Sequence, residues 1–112
     1  MADRNSALMS GVPELLVLSL LAGREMYGYE IARSVKLISR DALVIGEGVL
    51  YPALHALESR RLLRAKRTRV DGRTRIYYSL TVRGRARLAK LSEDWRRVSR
   101  GVASILGEGS HG

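Results

Sequence analysis

The pair Asp71-Gly72 stands at the centre of residues 62–81, LLRAKRTRVDGRTRIYYSLT, and constrains this chain more than any other feature. An Asp-Gly pair between strand-forming runs closes a two-residue hairpin, because both positions accept the positive φ that such a turn requires. Counting outward from the turn predicts the register. Leu63 falls opposite Leu80, Ala65 opposite Tyr78 and Arg67 opposite Ile76, which makes one mostly apolar face. Arg64 with Ser79, Lys66 with Tyr77 and Thr68 with Arg75 make the other. A slip of one residue would exchange the faces, so the pattern predicts one face buried and the other exposed. The exposed face and the tip are basic through Lys66, Arg69, Arg73 and Arg75.

Charge is concentrated at the same place. The net charge is +9, yet residues 1–59 hold five basic and seven acidic side chains. Residues 60–75 hold eight basic and one acidic, and residues 76–112 hold seven and three. The ordinary fate of a basic run is a solvated face. A patch this dense repels itself unless an anion lies against it, which points to an anionic partner.

From Thr81 to about Leu106 the sequence predicts one long helix with Thr81 as its N-cap. Leu88, Leu91, Trp95, Val98, Val102 and Ile105 are spaced 3, 4, 3, 4, 3, a heptad seam. A stripe of ~18 residues runs about 27 Å, more than one small domain covers, so a second helix must face it. Gly84 and Gly101 each weaken this helix by about 1 kcal/mol relative to alanine. The tail GEGSHG reads as a flexible end.

The first half predicts three shorter helices. Residues 1–11 are polar and should fray. Pro13 suits a first helical turn, and Gly23 a stop. Between them, Leu15 to Ala22 is apolar almost all round, as in a helix buried on several sides or shared with a second subunit. A second helix starts near Tyr27, with Tyr29, Ile31, Ala32, Val35 and Ile38 spaced to face a core. Residues 42–45, ALVI, form a small strand or the tail of a turn. A third helix runs from about Glu47 to Arg61, its apolar stripe made by Leu50, Ala53, Leu54 and Leu57. Tyr51, His55, Glu58 and Ser59 lie off that stripe. Pro52 is tolerated if this helix starts late, near Gly48, so that the proline falls in the first turn; otherwise a local kink follows.

A chain of 112 residues is one domain by default. Without cysteine it has no disulfides or thiolate chemistry, which is compatible with a reducing compartment. No apolar run approaches the ~18 residues of a membrane span. VPELLVLSLLAG is too short for one, and no basic leader precedes a small-residue cleavage site, so the expectation is a cytoplasmic protein without a membrane partner. No Ser–His–acid arrangement, carboxylate pair or phosphate-cradling glycine loop is present, so an enzyme is not expected. With only His55 and His111, no metal or cofactor is expected.

Helix, helix, exposed helix, basic hairpin, long helix is the order of a winged helix-turn-helix. The fold class expected is therefore mainly α with a small β-hairpin, divided into a winged helix-turn-helix over residues 1–80 and a dimerisation helix with its tail over 81–112. In that arrangement the third helix enters the major groove of a duplex and the hairpin lies along its backbone.

Here the sequence resembles a known family. LLVLSLLAGREMYGYEIARSV, then GVLYPALHALESRRLL, then RIYYSLTVRGRARL, are similar to the successive signatures of the PadR family of transcriptional regulators. The resemblance covers about Leu15 to Trp95, and the single helix after the hairpin is similar to the shorter PadR proteins. It implies a homodimer in which the last helix of one copy meets the first helix of the other. It also implies a repressor, in some relatives released from DNA by a small hydrophobic or aromatic effector.

The residues expected to meet a roughly palindromic double-stranded operator are Tyr27, Gly48, Tyr51, Pro52, His55, Lys66, Arg69, Arg73 and Arg75. For Tyr51 the competing reading is a ring packed under its helix, and for Tyr27 a core residue. Tyr27 instead sits where amide groups at a helix N-terminus attract phosphate; Tyr29 is expected in the core. Leu15, Leu18, Leu88, Leu91, Trp95, Val98, Val102 and Ile105 are expected at the dimer interface. Trp95 has two readings, simple dimer packing or one wall of an effector pocket at the two-fold axis. Two other functions compete with DNA binding: a basic RNA-binding module, and a protein-interaction module on the same fold. Against the first, Tyr78 is expected to face inward and Tyr77 to stand alone, leaving no aromatic platform.

Overall fold

A computed structural model describes residues 11–108. Helix α1 (Val12–Gly23) leads into a two-residue strand β1 (Met26–Tyr27) and helix α2 (Gly28–Ile38). Helix α3 (Glu47–Ser59) precedes strands β2 (Leu63–Val70) and β3 (Arg73–Leu80), and α4 (Val82–Leu106) closes the chain. The predicted frayed end and the last residues of the predicted tail, His111 among them, lie outside the described residues.

The hairpin has the register that the Asp-Gly turn dictates, from Val70 opposite Arg73 to Leu63 opposite Leu80. Asp71 and Gly72 both have positive φ, 50° and 77°. The sheet nevertheless has three strands, in the order β1-β3-β2, rather than two. Met26 pairs with Tyr78 and Tyr27 with Tyr77, just where the sequence predicts the second helix to start. Two residues carry no readable alternation, so β1 is a product of the tertiary fold.

The core is built on α1. Val17, Leu18 and Leu21 are buried there against Ile31 and Val35 of α2, Leu50, Leu54 and Leu57 of α3, and Tyr78 of β3. This accounts for the apolar character of α1, which is covered by α2, α3, β3 and α4. Burial pushes the Tyr78 phenol above its ordinary pKa, so it stays neutral in the core. Two expectations about helices are corrected, and of the two readings of residues 42–45 the tail of a turn stands. On α2, Tyr29 and Ile38 are exposed, and only Ile31 and Val35, with Ala32 partly, face inward. Residues 42–45 form no strand, although Ile45 is buried at the entrance to α3. Helix α3 starts at Glu47, so Pro52 falls beyond its first turn. The proline's missing N–H leaves the carbonyl four residues back, on exposed Gly48, without its helical donor.

Helix α4 begins as predicted: the Thr81 hydroxyl accepts from the Gly84 amide at 3.0 Å. It also donates toward the carbonyls of Arg61 (2.8 Å) and Leu62 (3.0 Å), which ties the start of α4 to the corner after α3. Gly84 is not simply a weak helical residue. A β-carbon there would collide with the Leu62 carbonyl oxygen and stand 2.6 Å from Leu80 Cδ1. Leu88 and Leu91 pack against the core, and beyond them the helix leaves the body. The radius of gyration is 15.6 Å, against about 13 Å for a compact chain of this length. The projecting helix explains the difference.

Candidate nucleic-acid interface

The wing, the β2–β3 hairpin, is the most densely cationic element. Lys66, Arg69 and Arg73 are exposed on it. Arg69 Nη2 donates to the Gly72 carbonyl at 3.0 Å, so one of these arginines also closes the turn. Arg67, opposite Ile76, is exposed although its register places it on the inward face; the body covers only the near half of the hairpin.

Arg75 is held differently. Its guanidinium lies 4.5 Å from the centre of the Tyr27 ring, a cation–π contact. Tyr27 in turn stacks on Tyr29 (6.3 Å between centres) and meets Tyr77 edge-on at 5.4 Å. Tyr77 therefore does not stand alone, because β1 delivers a second tyrosine to its side of the sheet. This weakens one argument against single-stranded recognition: Tyr77 and Arg75 both cover Tyr27, and Tyr29, 60% exposed, is the accessible ring of the cluster. The amide terminus of α2 is also partly taken. The Glu30 carboxylate accepts from the Tyr27 N–H at 3.2 Å and pairs with Arg24 at 3.3 Å. An anion arriving there meets a carboxylate already in place.

On α3, Leu50, Leu54 and Leu57 turn inward, while Gly48, Tyr51, Pro52 and His55 share the outward side. Tyr51 is both packed and accessible. Its ring lies against the backbone of Gly28, at the start of α2, and it is still 38% exposed. No β-carbon position at Gly48 has a neighbour within 4 Å, so that glycine leaves open space on the outward side.

The residues expected at the dimer interface separate into three groups. Leu18 is fully buried in the protomer's own core and cannot line a surface between copies. Leu88 and Leu91 are partly buried on that core. Trp95, Val98 and Val102 are about half exposed (49%, 50% and 50%), and Ile105 is 87% exposed. Leu15 and Leu91 meet Trp95 and Val98 in a groove of about 170 Å³, with Asp94 at its edge. Among the described residues no His, Cys, Asp and Glu side chains cluster as metal ligands would.

Two elements were not anticipated as parts of a site. One is the tyrosine cluster, which needed β1 to assemble. The other is a cleft of about 570 Å³ lined by Arg60, Arg61, Arg83 and Arg87. Its only sequence signal is the Arg60-Arg61 pair, whose partners come from a helix some twenty residues later.

A three-helix body, an exposed third helix and a cationic two-stranded wing define a winged helix-turn-helix protein of the DNA-binding class. Comparison with known proteins makes this specific. Residues 17–90 match the family described as transcriptional regulator PadR-like, and the chain belongs to that family of DNA-binding transcriptional regulators. A transcriptional regulator of Mycobacterium tuberculosis is 36% identical over 97 residues, covering 87% of this chain and 85% of its own. A PadR family regulator of Clostridium difficile has a crystal structure that matches with a TM-score of 0.73 at 31% identity, over 84% of this chain and 97% of that one. A transcriptional regulator of Clostridium thermocellum matches with a TM-score of 0.82 at 26% identity, over 88% and 97%. No helix among the described residues is long and apolar enough to cross a membrane.

Proposed function

We propose that this chain is a cytoplasmic, homodimeric repressor that binds a roughly palindromic double-stranded operator. The observation that carries the reading is the joint exposure of the α3 outward side and a cationic wing on one small body. His55, Tyr51, Pro52 and Gly48 read the groove, and Lys66, Arg69, Arg73 and Arg75 meet phosphates, which position the protein without reading sequence. Tyr27 acts through its contact with Arg75. Two copies present their α3 helices to successive major grooves about 34 Å apart.

The division of labour follows the chain. Residues 1–80 bind DNA. Residues 81–112 join the copies through Trp95, Val98, Val102 and Ile105, each about half exposed or more in the protomer. The groove beside Leu15, Leu91, Trp95 and Val98 fits a small hydrophobic or aromatic effector. Such an effector relieves repression only if it binds the DNA-free dimer better than the bound one. Charge reversal in the wing, Arg69→Glu with Arg73→Glu, tests the central claim. Duplex binding should be lost while the sedimenting mass stays that of a dimer; unchanged duplex binding refutes it.

A further inference from the structure

We infer that the arginine-lined cleft between the corner after α3 and the first turns of α4 is a binding site for a small polyphosphate-bearing ligand, separate from the duplex-binding surface. Arg60 and Arg61 approach it from the corner, Arg83 and Arg87 from α4, and Leu62 and Ala86 form its apolar floor. The volume, about 570 Å³, admits an oligophosphate group together with an organic moiety. Arginine is the side chain suited to such a ligand, because its planar fork grips phosphate oxygens in pairs.

Three observations separate this cleft from a merely solvated charge cluster. First, its two walls are tied to each other. The Thr81 hydroxyl bridges the Arg61 and Leu62 carbonyls to the start of α4, and the absence of a β-carbon at Gly84 permits that approach. Second, the charges are unequally compensated. Glu14 Oε1 accepts from Arg60 at 3.2 Å and Arg87 at 3.0 Å, so this one carboxylate holds two arginines in place. Among the described residues neither Arg61 nor Arg83 has an acidic partner. Third, Arg61 occupies a left-handed position, φ 61°, that ends α3. Leu62 N–H donates to the Leu57 carbonyl at 2.9 Å and Arg61 N–H to the Glu58 carbonyl at 2.8 Å. Glycine is the residue that this terminator favours. An arginine there is disfavoured for the fold, and its side chain lines the cleft.

The cleft stands at the body end of the hairpin. Eight residues of β2 separate it from the tip, roughly 26 Å at 3.3 Å per residue. It therefore does not share the tip's phosphate contacts.

Calorimetric titration of the full-length chain with inorganic tripolyphosphate, at fixed ionic strength, tests the site. Wild type should bind, and Arg61→Gln with Arg83→Gln should weaken binding at least tenfold. The wing pair Arg69→Gln with Arg73→Gln removes the same charge and should change it less than twofold. Equal loss in both pairs would mean a diffuse cationic field and overturn the inference, as would wild-type behaviour of the cleft pair or no binding by wild type. If the cleft pair weakens duplex binding as much as the wing pair does, the cleft is a duplex contact and the inference also falls. Circular dichroism checks folding of each variant; Ala86→Glu, which sets a carboxylate in the exposed floor, should abolish tripolyphosphate binding independently. The titration needs no DNA, so its result stands or fails apart from the repressor reading.

Discussion

Tyr51 and Gly28 occupy one another's space: a β-carbon on residue 28 would stand 2.6 Å from the Tyr51 phenol oxygen and 2.9 Å from two of its ring carbons. The first helix of the helix-turn-helix thus seats the exposed one through a glycine. Gly28→Ala should destabilise the fold by about 1–3 kcal/mol, the usual cost of overpacking. Combining it with Tyr51→Ala should give less than the sum of the two changes in urea denaturation, because the clash is gone. Additive effects would mean the contact carries no energy.

The two helical glycines of α4 should respond with opposite sign. Gly84→Ala gains about 1 kcal/mol of helix propensity but drives a methyl into the Leu62 carbonyl and Leu80. Net destabilisation and a lower Tm are expected. A β-carbon at Gly101 would meet no other group within 4 Å, so Gly101→Ala should stabilise by up to about 1 kcal/mol. Denaturant midpoints of the two variants decide it.

Duplex affinity should depend steeply on salt. If a dimer neutralises ~6–10 phosphates, affinity falls about 10³–10⁵-fold between roughly 50 and 200 mM salt. Each wing arginine replaced by glutamine removes one contact from each copy and should lower the slope of log affinity against log salt by about two. A flat response would remove the wing from the interface.

Trp95 should report association. It is half exposed in the protomer, so dimerisation should shift its fluorescence to the blue. Trp95→Ala should weaken self-association at least tenfold, about 1.4 kcal/mol, as central interface aromatics do. Sedimentation at several concentrations measures this.

Acid should loosen α4 near the groove. Desolvation raises the Asp94 pKa, but the hydrogen bond from Arg97 and the charge of Lys90 outweigh it and hold the carboxyl below its ordinary value. A carboxyl depressed in the folded state adds stability above its unfolded pKa and loses it as pH falls through the folded one. Helicity at acid pH should therefore fall more in wild type than in Asp94→Asn, by a small amount, since both ion pairs are at the surface.

Local rules in the sequence determined the hairpin register, the N-cap at Thr81, the buried stripe of α3 and the concentration of charge in the wing. Turn chemistry and hydrophobic period act over a few residues, so a linear reading captures them. What needed the tertiary structure was whatever depends on elements distant in the chain. Strand β1 exists because β3 offers an edge to Met26 and Tyr27. Tyr29, at core spacing, is exposed because its side of α2 turns toward Tyr27 of β1 and away from the core. Leu18, expected at the dimer interface, lies in the core because α1 is enclosed by its own protomer. Gly84, legible only as a helix weakener, proved to be the point where a backbone carbonyl from twenty-two residues earlier comes too close for a side chain. Spacing reports which side of an element is apolar; only the assembled body decides what that side meets.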